Sequence, residues 1–134
     1  MAASPVLDSY ALLTFLRGEA GEAQVAALLE KASVRDLPLQ MTEVNYAEVK
    51  YIVVRKDGAE RWQEIARELP ALPIEFHPAD RRLSELAGDF KARFKMSLAD
   101  AFAAALARSR KAELVTADRE FKSVEGEIKI LWLK

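Results

Sequence analysis

No cysteine occurs in the 134 residues, and histidine occurs once, at His77. The first absence excludes disulfides, thiolate metal sites and a cysteine nucleophile. Together the two argue against a zinc site of the usual nitrogen and sulfur ligands. A Ser-His-Asp triad would have to recruit His77, and no nucleophile motif supports it. The lack of cysteine is compatible with a reducing cytoplasm, where the chain is expected to reside. Long apolar runs are missing as well: none approaches the roughly 18 residues of a membrane span. The segment Met1-Ala-Ala-Ser-Pro-Val-Leu-Asp8 has no basic region ahead of a long apolar stretch, so it is expected to be a short lead into a strand and not a signal peptide. Excess charge of one sign is also lacking, with 20 Lys and Arg against 21 Asp and Glu and a net charge of -1. That balance argues against general electrostatic coating of nucleic acid and leaves room for a local basic groove.

Apolar residues make up 51% of the sequence, enough to bury a core, in a length that suits one domain over residues 1–134. There are no repeats, low-complexity tracts or linkers. A strand is expected over residues 5–7, ending at Asp8-Ser9, then a helix over 10–17 stopped by Gly18. An amphipathic helix follows over 19–33, a strand over 37–41, a long helix over 42–56 closed by Asp57-Gly58, and a helix over 59–69 stopped by Pro70. Pro73 makes the strand over 72–76 short or peripheral. Pro78-Ala-Asp80 opens a helix to about Phe94, and an alanine-rich helix covers 98–111. A strand over 113–116, a helical turn over 119–122 and a last strand over 128–132 complete the chain. Alternating strands and helices predict an α/β fold: a three-layer α/β/α sandwich around a mostly parallel sheet.

Four carboxylates, Asp8, Glu48, Asp100 and Asp118, stand where strand-like runs meet helix-like runs. In an open α/β sheet such junctions gather at one edge, so acids far apart in sequence can share a pocket. Gathered negative charges need a cation to offset them, and a divalent metal with phosphodiester hydrolysis is the natural pairing. Each acid also has a plainer reading. Asp8 suits a helix N-cap. Asn45 and Glu48 have capping-box spacing, as do Ser97 and Asp100. Asp118 suits a turn after a strand. Glu43 rivals Glu48 as the functional acid of its segment, but a helix starting near Thr42 turns Glu43 toward solvent and carries Glu48 one turn further in. A carboxylate at the buried start of an alanine-rich helix, as at Asp100, is unfavourable unless paired or metal-bound.

Four pieces of the sequence carry a family resemblance: Val6-Leu-Asp8-Ser-Tyr-Ala-Leu-Leu, Val44-Asn-Tyr-Ala-Glu48-Val, Ser97-Leu-Ala-Asp100-Ala and Leu114-Val-Thr116-Ala-Asp118-Arg-Glu-Phe121. In order and spacing, over essentially the whole chain, they resemble PIN-domain ribonucleases, and closely the VapC toxins of bacterial toxin-antitoxin pairs. The resemblance implies an acidic quartet of Asp8, Glu48, Asp100 and Asp118, with Thr116 supporting it by hydrogen bonding and Ser9 and Asn45 nearby. It implies one or two Mg²⁺ or Mn²⁺ ions, with Asp8 and Asp100 as inner ligands, Glu48 orienting water or completing the shell, and Asp118 acting through water. Tyr10 departs from the small polar residue usual after this motif. The resemblance further implies an RNA substrate, a VapB-like antitoxin and a homodimer, for which residues 19–33 and 42–69 offer apolar surface.

RNA needs positive groups near the acids, and Arg17, Lys50, Arg55, Lys91, Arg93, Lys95 and Arg119 are candidates. Lys91, Arg93 and Lys95 form the best cluster. Tyr10, Tyr46 and Phe94 are candidates for base stacking, with core packing favoured for Phe94. Three rival readings remain: a DNA-directed nuclease, a catalytically silent PIN-like interaction module, and a phosphotransfer domain using Asp8. The last is disfavoured because Tyr10 stands where such phosphatases place a second Asp and Ser9 where receivers place an acid.

Overall fold

A computed structural model describes residues 3–134; the first two residues of the expected lead-in segment lie outside the described residues. Five short strands build one sheet: β1 (Val6–Leu7), β2 (Leu39–Thr42), β3 (Ile74–His77), β4 (Leu114–Thr116) and β5 (Ile130–Trp132). Every pairing is parallel, in the order β3-β2-β1-β4-β5. The sheet expected to be mostly parallel is therefore parallel throughout. Between the strands run α1 (Ser9–Arg17), α2 (Glu22–Arg35), α3 (Glu43–Asp57), α4 (Ala59–Glu68), α5 (Arg81–Arg93) and α6 (Leu98–Arg110), with 3-10 turns at Leu69–Ala71 and Arg119–Val124. Among the described residues no helix is long and apolar enough to cross a membrane.

Parallel strands need helical crossovers, so both sheet faces are covered and the strands read as apolar runs. Side chains of consecutive strand residues point to opposite faces. Val6 and Leu114 accordingly feed a core with α5 and α6, while Leu7 and Val115 feed a second core with α1 to α4. These two cores make the three layers. Helix α6 is buried on every side from Ala101 to Ala107. Its run of alanines permits this, because a helix without bulk can approach a sheet and two helices closely.

Several boundaries depart from the sequence expectation for local reasons. The helix expected from residue 19 starts at Glu22, because Gly18 and Gly21 both take left-handed backbone and turn the chain between them. Pro70 enters a 3-10 turn that ends α4, and β3 begins just past Pro73 at the sheet edge. The N-cap of α3 is Thr42, whose hydroxyl accepts from the Asn45 N–H at 3.0 Å. The expected capping box of Asn45 with Glu48 is therefore not formed; the helix starts at Glu43, within a residue of its expected start, and Asn45 is already inside it.

The strand order fixes where chemistry can sit. From β1 the chain steps outward through β2 to β3, then returns to the other side of β1 for β4 and β5. The switch point lies between β1 and β4. In open parallel sheets the usable crevice opens at the carboxyl ends of the two strands flanking the switch. The residues just past those ends are Asp8 and Ala117-Asp118.

Candidate active site

The register places Leu7 beside Val115, so Asp8 follows level with Thr116. Asp8 is 1% exposed and caps α1: its Oδ1 accepts from the Ala11 N–H at 2.7 Å, and its Oδ2 accepts from the Thr116 hydroxyl. The same Thr116 oxygen accepts from the Asp118 N–H at 2.9 Å. One hydroxyl thus ties the end of β1 to the turn after β4 and fixes which way Asp8 faces. Asp118 caps the following 3-10 turn, its Oδ1 accepting from the Glu120 N–H at 2.9 Å.

Asp100 enters from the first turn of α6, which Ser97 caps by accepting from the Asp100 N–H at 3.1 Å. Glu48 enters from the second turn of α3, half-buried, with the Tyr51 hydroxyl donating to it at 3.4 Å. Asp8, Glu48, Asp100 and Asp118 all line one open pocket of about 270 Å³, which also takes Ser9, Tyr10 and Glu120 into its wall. Glu43 is exposed and is not among the lining residues. Glu120, a fifth carboxylate at the rim, escaped sequence reasoning; its signal was a place two residues after Asp118 in the same turn.

Beneath the pocket lies a buried polar hub. Asn45 donates through Nδ2 to the Ser9 hydroxyl at 2.9 Å and to the Ala99 carbonyl at 3.2 Å, and its Oδ1 accepts from Thr42. Ser9 donates back to the Asn45 carbonyl at 3.3 Å. These bonds join the first turns of α1, α3 and α6, the three helices that carry Asp8, Glu48 and Asp100. Of the two expected substrate contacts, Asn45 is fully buried and Ser9, though in the pocket wall, nearly so, and both spend polar atoms bracing the helix starts.

Lys91 donates to the Met96 carbonyl at 2.7 Å, and Arg93 forms a two-pronged pair with Glu127 at 2.7 and 3.0 Å while lying over Phe90 and Phe94. Lys95 is exposed, and none of the three lines the acidic pocket. Arg17 sits at the far end of α1 from Asp8, paired with Asp57 and Glu19. Of the aromatic candidates, Tyr46 packs edge-on against Trp62 and Phe76, and Phe94 packs beside Phe90. Tyr10, 47% exposed, stands at the pocket wall.

The electrostatics follow from burial. Loss of water around Asp8 pushes its carboxyl up to about 7, against the opposing pull of the Thr116 and Ala11 hydrogen bonds, with Asp100 and Asp118 adding to the rise. Asp100 is likewise pushed up to about 7 by burial, then by the negative charges of Asp118 and Glu48. No Lys or Arg lines the pocket to relieve them. Among the described residues no three acids form a ready-made cage for a cation. Asp8, Glu48 and Asp118 each engage a cap or hydroxyl partner, while Asp100 faces Asp118. The donor set is nonetheless all hard oxygen and short of positive charge, which fits Mg²⁺ or Mn²⁺ and not a softer metal.

An open parallel sheet with acids from four segments at its switch point defines an α/β domain with an acidic pocket. The chain belongs to the PIN domain family, which it matches over residues 6–127, a family of nucleases that generally use divalent metals. No curated protein matches the sequence. Among solved structures, the chain is similar to VapBC2 from Rickettsia felis bound to a DNA fragment from their promoter, at 15% identity and a TM-score of 0.77, covering 97% of this chain and 98% of that one. It is similar to DNA-bound VapBC from Salmonella typhimurium at 17% identity and a TM-score of 0.76, over 96% and 97% of the two chains. It is also similar to VapC20 from Mycobacterium tuberculosis, a sarcin-ricin loop cleaving toxin, at 16% identity and a TM-score of 0.70, over 90% and 95%. At these identities the likeness is one of fold.

Proposed function

We propose that this chain is a metal-dependent endoribonuclease of the VapC type, the toxin of a toxin-antitoxin pair. The observation that carries the reading is the Asp8–Thr116–Asp118 bridge at the switch point, with Asp100 and Glu48 in the same pocket. The structures it resembles in fold include a toxin that cleaves the sarcin-ricin loop and complexes of toxin with antitoxin, which supports RNA as substrate and a VapB-like antitoxin as partner. A homodimer and a cytoplasmic location belong to the same reading.

Asp8 and Asp100 are assigned as inner ligands for Mg²⁺ or Mn²⁺, because burial makes their ionised forms the ones most in need of a cation. When bound, the cation neutralises phosphate charge and makes water a stronger nucleophile at neutral pH. The chain's own groups do the rest. Thr116 holds Asp8 through a hydroxyl whose direction is fixed by the Asp118 N–H. Asp118, held through Oδ1 by the Glu120 N–H, is assigned to act through water. Glu48 is assigned to orient the attacking water and accept its proton as the new P–O bond forms and the bridging P–O bond breaks.

The test is cleavage of total cellular RNA by the purified protein with Mg²⁺ or Mn²⁺, mapping new ends, with Asp100→Asn alongside. Discrete ends that need the metal and vanish in the variant are expected. Equal cleavage by the variant would overturn the assignment.

A further inference from the structure

The acidic pocket has no basic side chain in its wall, yet its proposed substrate is a polyanion. Positive charge is instead concentrated in a larger open cleft of about 680 Å³ between the start of α5 and the end of α6. Arg82, Arg108 and Arg110 line it, and Asp80 is its only carboxylate. Asp80 is engaged as the N-cap of α5, accepting from the Leu83 N–H at 2.8 Å. In a chain of net charge -1, three guanidiniums against one occupied carboxylate is marked segregation.

The arginines are held but not neutralised. Arg110 Nη2 lies 3.2 Å from His77 Nδ1. A guanidinium only donates, so Nδ1 accepts and the ring proton sits on Nε2. That Nε2 is buried without a hydrogen-bond partner, an unfavourable state that makes holding Arg110 the ring's one polar contact. Burial, and then the charge of Arg110, keep His77 below its usual range, so the ring is neutral and leaves the Arg110 charge uncancelled. Among the described residues neither Arg82 nor Arg110 has an ion pair, and Arg108 has only a 3.3 Å contact to Glu127 from a half-exposed side chain.

We propose that this cleft is a phosphate-binding subsite that grips an RNA chain whose scissile bond lies in the acidic pocket. The proposal rests on the ribonuclease reading above. Helix α6 joins the two: Asp100 is in its first turn, Arg108 and Arg110 in its last, about 12–15 Å further along the axis at about 1.5 Å per residue. Guanidinium forks match phosphate oxygens two at a time. An anchor beyond the cleavage point supplies the attraction that the acids themselves deny.

The test is binding of a fluorescent single-stranded RNA of about 20 nucleotides in EDTA, measured by anisotropy over a range of salt, a length that covers the roughly 15 Å between the two sites with flanking chain to spare. Arg82→Gln/Arg110→Gln is expected to bind roughly tenfold more weakly near 0.1 M salt and to flatten the salt slope by about 1.4, at about 0.7 per lost phosphate contact. Arg82→Lys/Arg110→Lys is expected to restore most of the slope, and Lys31→Gln on α2 to leave it unchanged. Thermal melting confirms that each variant is folded. A wild-type slope in the glutamine variant or an equal loss in Lys31→Gln would overturn the proposal. Because binding is read in EDTA, absence of RNA cleavage by the wild type would sink the ribonuclease reading and leave the subsite standing.

Discussion

Thr116 does three things with one oxygen and one methyl: it ends β4, donates to Asp8 and accepts from the Asp118 N–H. Thr116→Val keeps the shape and removes the hydroxyl. Asp8 Oδ2 then loses its donor in a buried setting, which costs about 1–3 kcal/mol of stability. The lost hydrogen bond was lowering the Asp8 pKa, so that carboxyl rises further and the pH profile of cleavage moves to higher pH. Partners that orient metal ligands are typically worth about 10–100-fold in affinity, so Mn²⁺ titration of the variant is expected to show a loss of that size. Unchanged Mn²⁺ affinity would remove Thr116 from the site. Asn45 acts at the same scale but on backbone. Asn45→Ala leaves the Ala99 carbonyl and Ser9 hydroxyl without their donor, and a loss of about 1–3 kcal/mol is expected in denaturant unfolding.

At the scale of elements, α6 decides how tightly the site is assembled, because it touches the sheet, α3 and α5 at once. Ala104 is fully buried in it. Ala104→Leu inserts bulk where neither neighbour can yield, and overpacking of this kind costs about 1–3 kcal/mol. A melting temperature equal to wild type would show that the interface has slack. Much of this element was legible in sequence: Ser97 as cap, alanine spacing and Asp100 in the first turn are local features. So was the placement of Glu48 in the pocket wall and Glu43 toward solvent, which depends only on helix phase once the start is known. The start of α3 near Thr42 was legible too, but Asn45 was misread as a cap: Asn45 and Thr42 are both good caps, and only the buried bonds of Asn45 to Ser9 and Ala99 decide between them. Strand order was not legible, since parallel pairing is set by contacts far apart in sequence. Nor was the fate of the Lys91–Arg93–Lys95 cluster: the partner that captures Arg93 is Glu127, 34 residues away. The pairing of Arg110 with His77 across 33 residues was hidden for the same reason.

At the scale of the molecule, gathering acids at the switch point works against the fold unless a cation is present, and pH exposes this. An unfolded chain releases the Asp8 and Asp100 protons near 3.8, while the folded chain holds both to about 7. Between those values the folded state carries more protons, so stability falls as pH rises; the penalty is absent below about pH 4 and complete above about pH 7. Carboxylates held in ion pairs behave oppositely: Asp57 and Glu127 are lowered by Arg17 and Arg93, so their transitions lie below this window. His77 is lowered and adds stability as pH rises toward 6.5, which partly masks the acids in wild type alone. The difference between wild type and Asp100→Asn cancels His77. In EDTA the variant is expected to melt higher than wild type at about pH 8 and to converge with it near pH 4, the lower limit set by the unfolded carboxyl. Added Mn²⁺ binds the ionised form, so it is expected to raise the wild-type melting temperature strongly at the alkaline end, weakly at the acid end, and far less in the variant. Calorimetric melting across this range with and without Mn²⁺ reads all three arms. A variant that melts lower than wild type in EDTA at alkaline pH would mean that Asp100 is held ionised by the fold itself, and that the pocket has no deficit for a cation to fill.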